Sequence, residues 1–122
     1  MTAVQTETPA EIINQTNKLK GDCYNNLAAC MLQQDNPNYE KIKEHCDNAL
    51  DVSQGNVKAL YRKGVASYHL KNFDDALKLF QQSGQNDTQT RKFITLSKEA
   101  IALQEKELKA AYQKMFKQTD KT

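Results

Sequence analysis

From Ile12 onward, apolar residues recur at intervals of three, four and seven, the period of helices that turn one face inward. Ile12, Ile13, Leu19, Cys23, Leu27 and Met31 mark the first stripe, which runs to about Gln34. Thr8-Pro9-Ala10-Glu11 supplies its start: Thr8 caps, Pro9 takes the first helical position, and Glu11 reaches back as the capping-box partner. Gly21 weakens the middle by about 1 kcal/mol. The segment is therefore expected to divide into two helices meeting near Lys20-Gly21-Asp22, with Asp22 as a cap.

Asp35-Asn36-Pro37-Asn38 breaks the pattern and places Asn38 to cap a second helix, whose stripe is Tyr39, Ile42, Cys46, Ala49 and Leu50. Ser53-Gln54-Gly55-Asn56 ends it. A third helix is predicted from about Val57 to Leu70, with Leu60, Tyr61, Gly64, Ser67 and Tyr68 inward. A fourth, capped by Asn72, carries Phe73, Ala76, Leu77 and Phe80 and stops at Gly84. Short connections make neighbouring helices antiparallel, so the chain reads as a row of helical hairpins. The last pattern begins after Asp87 and meets no Gly or Pro before about Lys117. Ile94, Ile101, Leu108 and Met115 are evenly spaced, but the second seam of a heptad is mostly polar, which argues against a coiled coil. A long capping helix that packs at its start and projects at its end is expected instead.

Composition narrows the class. With 122 residues, 26% charged and 39% apolar, the chain holds one modest core. It has no apolar run long enough to span a membrane and no secretory pattern at its start, so a cytoplasmic location is expected. Residues 91–122 carry eight Lys and Arg against four Asp and Glu. These cations alternate with Glu99, Glu105 and Glu107 at helical spacings, the mark of a solvated face rather than of a nucleic-acid or membrane partner.

Cys23, Cys30 and Cys46 are an odd count without a Cys-x-x-Cys, which fits neither a disulfide framework nor a zinc site, and they are expected as small core residues. His45 and Cys46 diverge by about 100° on a helix and do not converge on a metal. No cofactor is implied. Catalysis is not expected either: no close-set Gly pair cradles a phosphate, no His lies within helical reach of a nucleophile, and no carboxylate pair faces inward. Asp47, Asp51, Asp74 and Asp75 read as cap and surface charges.

The hairpins align on one another. Asn26 matches Arg62, Ala28 matches Gly64, Ile42 matches Ala76, Cys46 matches Phe80 and Ala49 matches Ser83, with a period of 34 once two extra residues in the Asp35–Asn38 turn are allowed. Small residues at the matched positions let the two helices of a hairpin close, while Phe80 fills the gap beside the next unit. This spacing resembles the tetratricopeptide repeat. The strings Tyr-Asn-Asn-Leu-Ala-Ala-Cys, Asn-Pro-Asn-Tyr, Lys-Ala-Leu-Tyr-Arg and Tyr-x-x-Met-Phe carry the likeness further. Over roughly residues 9–117 the chain resembles the tetratricopeptide repeat protein 9 family, and after it the tetratricopeptide domains of FK506-binding proteins.

The resemblance implies an all-α fold of about two tetratricopeptide hairpins with a long C-terminal capping helix. Its expected organisation is a disordered start over 1–8, an N-terminal helix or remnant of a first repeat over 9–20, repeats over 21–56 and 57–90, and the cap over 91–118. It also implies a co-chaperone-like module. In chaperone-binding relatives an Asn on one repeat and a Lys and Arg on the next form part of a carboxylate clamp for the C-terminal Glu-Glu-Val-Asp of heat-shock protein 90 or 70. By position, Asn26, Lys58 and Arg62 are those residues here. The Lys-x-x-Gly-Asn string of a first repeat is absent before Asn26, so two of the clamp's five polar anchors are missing. At about 1–2 kcal/mol each, the tail is expected to bind roughly 30- to 1000-fold more weakly than to a full clamp.

Two further readings follow from residues. Lys58 and Arg62, four apart, could be a plain solvated face in a scaffold that binds some other protein. The missing hairpin leaves the stripe of Leu19, Leu27 and Met31 in want of cover, either by residues 9–20 folding back or by two chains pairing as a weak homodimer.

Overall fold

A computed structural model of the chain describes residues 7–119. Of the start expected to be disordered, residues 1–6 lie outside the described residues. Among the described residues there are five helices and no strand: α1 Pro9–Leu32, α2 Tyr39–Val52, α3 Val57–His69, α4 Phe73–Ser83 and α5 Thr88–Thr119. Their ends are set locally, as the sequence predicts. Thr8 Oγ1 accepts from the Glu11 amide at 3.2 Å while Glu11 Oε2 accepts from the Thr8 amide at 3.0 Å, a complete capping box. Asn38 and Asn56 Oδ1 accept from the Lys41 and Ala59 amides, and Asp87 Oδ1 from Thr90 at 2.8 Å. Gly84 closes α4 with φ 69°, a left-handed turn that suits glycine.

Asn72 departs from expectation. It precedes α4 but its side chain makes no capping bond. The chain turns sharply through Lys71 at φ 66°, and the Asn72 amide is drawn back to the Ser67 carbonyl at 2.8 Å.

The helices stack as hairpins α1–α2 and α3–α4, with α2 against α3 and α5 against α4. In addition α1 touches α3 and α3 touches α5, whereas α2 and α4 do not approach one another. The layer whose members meet is the inside of a curve, so α1, α3 and α5 form the concave wall and α2 and α4 the outer one. Ala28, Ile42, Cys46 and Ala66 pack the first core, with Met31, Leu32 and Tyr39 against it. Val65, Ala76 and Phe80 pack the second, joined by Leu32, Tyr61, Tyr68, Phe93 and Ile94. Every small or apolar position that the repeat alignment pairs is buried: Ala28 with Gly64, Ile42 with Ala76, Cys46 with Phe80, Ala49 with Ser83. Phe80 also stacks on Phe93 of α5, ring centroids 5.2 Å apart, so it fills the gap beside the next element as expected.

The first helix corrects three expectations. α1 runs unbroken through Gly21, so residues 9–20 do not fold back as a separate helix. Its buried face is Gly21, Asn25 and Ala28, not the larger apolar stripe; Ile12, Ile13, Leu19 and Leu27 are exposed. Cys23 and Cys30 lie on that exposed side, and only Cys46 is in the core. The physical reason is close approach. The place where Gly21 would carry a Cβ lies 3.5 Å from Val52 Cγ1, so small residues let α2 press against α1 and the bulky ones are left outside.

Candidate functional site

The concave wall carries the two expected cations. Asn56 fixes the start of α3, and Lys58 and Arg62 follow one turn apart. Lys58 is exposed in a first turn that holds no acidic residue, and among the described residues no ion pair neutralises it. Helix dipoles favour anions at this end, so an ammonium there adds to an already positive terminus.

Arg62 is different. It is half-buried, and its Nη1 donates to the Asn25 carbonyl oxygen on α1 at 3.1 Å and lies 3.5 Å from Asn25 Oδ1. The guanidinium is thereby tied across the α1–α3 junction, with donors to spare. Its charge also reaches Cys46, where it opposes the effect of burial. Burial dominates, and the Cys46 thiol is pushed up to about 12, an inert core group.

Asn26 is exposed on α1 and makes no hydrogen bond to Lys58 or Arg62. The structure thus brings Arg62 to α1 at Asn25, one residue before the expected partner. Sequence reasoning missed Asn25. The available signal was its spacing from Gly21, Ala28 and Leu32, which places it on the buried face once that face is recognised as the small-residue one.

Two open depressions lie elsewhere, one along α2 beside Lys41 and Glu44, the other between α2, α3 and α4 beside Leu50, Lys63 and Leu79. Among the described residues no three His, Cys, Asp or Glu side chains are grouped to hold a metal, and no helix is long and apolar enough to cross a membrane.

No family model matches the chain. Over 101 residues it is 41% identical to tetratricopeptide repeat protein 9C of Xenopus tropicalis, covering 80% of this chain and 57% of the relative. The chain therefore spans just over half the length of that relative. Two hairpins, a capping helix and this identity agree on one lineage, and the C member is the one matched. The chain belongs to the tetratricopeptide repeat protein 9 family.

Proposed function

We propose that the chain is a non-catalytic protein-interaction module of co-chaperone type that takes up a peptide carboxylate, such as the C-terminal tail of heat-shock protein 90 or 70, through a partial clamp of Lys58, Arg62 and Asn26. One observation carries this reading: an unneutralised Lys58 on the concave wall, beside an Arg62 already held in place by Asn25. A planar guanidinium fixed by one bond keeps donors free for a carboxylate at little further entropic cost. Lys58 then supplies the point charge. Three polar anchors by themselves give a weak affinity.

A second reading has an observation of its own. Asn26 stands apart from both cations, and Arg62 already has a partner, as in a scaffold whose polar face serves structure while another protein binds elsewhere. Titration of a Glu-Glu-Val-Asp peptide separates the two. The clamp predicts binding at high micromolar to millimolar peptide that Lys58→Ala removes; binding unaffected by Lys58→Ala assigns the chain to the scaffold class.

A further inference from the structure

On the outer wall α2 and α4 do not meet, so α3 is uncovered between them and a groove of about 460 Å³ opens there. That volume suits a short segment of chain. Leu60 of α3 forms its floor, and Leu50 of α2 and Leu79 of α4, both half-buried, form its walls. Lys63 of α3 leans towards α2, its Nζ 2.6 Å from Asp47 Oδ1, so its ammonium is held at one side. Asp51 lies one turn on from Asp47, exposed, with no ion pair or hydrogen bond among the described residues. Gln54 and Gln82 complete the rim as exposed amides, and they too have no hydrogen-bond partner among the described residues.

We infer that this groove takes an extended peptide segment of another protein, in which an apolar side chain and a lysine or arginine two residues away point the same way. The apolar side chain rests on Leu50, Leu60 and Leu79, and its burial supplies most of the affinity. The cation answers Asp51. Among the lining residues two carboxylates face one ammonium, and that ammonium is tied to Asp47, so the charge left over is negative. An extended segment fits better than a helix because its backbone groups are unpaired, and Gln54 and Gln82 each offer them a donor and an acceptor. Successive side chains of such a segment alternate, which puts residues two apart on one side. The groove contains neither Lys58 nor Arg62, so the inference stands apart from the carboxylate reading.

Three peptides blocked at both ends, and so without a free carboxylate for Lys58 or Arg62, provide the test: Leu-Ser-Arg, Leu-Ser-Glu and Ser-Ser-Arg, each titrated into the isotope-labelled chain and followed by its amide resonances. Leu-Ser-Arg at millimolar concentration is expected to shift the resonances of Leu50, Asp51, Leu60 and Leu79. Exchanging its arginine for glutamate is expected to weaken binding about fivefold, the scale of a surface ion pair. Exchanging its leucine for serine is expected to weaken it at least about tenfold. Asp51→Lys, at an exposed position, is expected to reverse the preference so that Leu-Ser-Glu binds better than Leu-Ser-Arg, a result that a general loss of structure does not produce. No shift at millimolar peptide, shifts confined to other surfaces, or a preference that Asp51→Lys leaves unchanged overturns the inference.

Discussion

Gly64 has no room for a side chain. A Cβ there would lie 2.8 Å from Phe80 Cε1 and 3.0 Å from two further ring atoms, and Phe80 is itself held on Phe93. Gly64→Ala is therefore expected to destabilise by about 1–3 kcal/mol through overpacking. Gly21 invites the opposite result. The same atom there meets Val52 at ordinary contact distance, and Gly21 sits inside a continuous helix, so Gly21→Ala is expected to stabilise by about 0.5–1 kcal/mol. Urea denaturation of the two variants checks both signs. The repeat register was legible because it rests on such residues: Gly64, Ala28 and Phe80 are fixed by spacing alone. Arg62's anchor was not. The Asn25 carbonyl lies 37 positions away in the chain, and no local rule selects between Asn25 and Asn26 as the residue that meets it.

At the level of the element, caps were the most readable feature because a cap is decided within four residues. Thr8, Asn38 and Gly84 begin or end helices as the sequence predicts, and Asn56 and Asp87 cap α3 and α5 besides. Asn72 shows where that logic stops, since it follows a left-handed turn at Lys71 and its side chain makes no capping bond. Asn56→Ala is expected to cost about 1 kcal/mol, and Asn72→Ala less than about 0.5 kcal/mol; thermal denaturation of the pair tests the distinction. The face of α1 was misread for a related reason. A bulky apolar stripe marks a core only when a neighbour can reach it, and the neighbour α2 packs against Gly21, Asn25 and Ala28 instead. The projection of α5 was legible, because beyond Ile101 its heptad positions lack the second apolar seam that a partner helix within the chain would need.

At the scale of the array, α1, α3 and α5 form the inner side, α2 and α4 the outer one, and the exposed large apolar side chains lie mainly on α1 and α5. Curvature follows from which helices meet: α1, α3 and α5 in turn, but not α2 and α4. In the proposed clamp Lys58 and Arg62 have unequal tasks. Arg62→Ala is expected to lower stability by about 1–3 kcal/mol because it removes the charge-assisted hydrogen bond that ties α3 to the Asn25 carbonyl of α1, so its effect on binding mixes with folding. Lys58 is exposed and has no ion pair among the described residues, which makes its removal the clean probe. The decisive measurement is calorimetric titration of one peptide in two forms, ending in a free Glu-Glu-Val-Asp carboxylate or in its amide, against the unaltered chain and Lys58→Ala. The carboxylate clamp predicts weak binding of the free acid only, lost on Lys58→Ala; equal binding of acid and amide, or no binding at millimolar peptide, contradicts it.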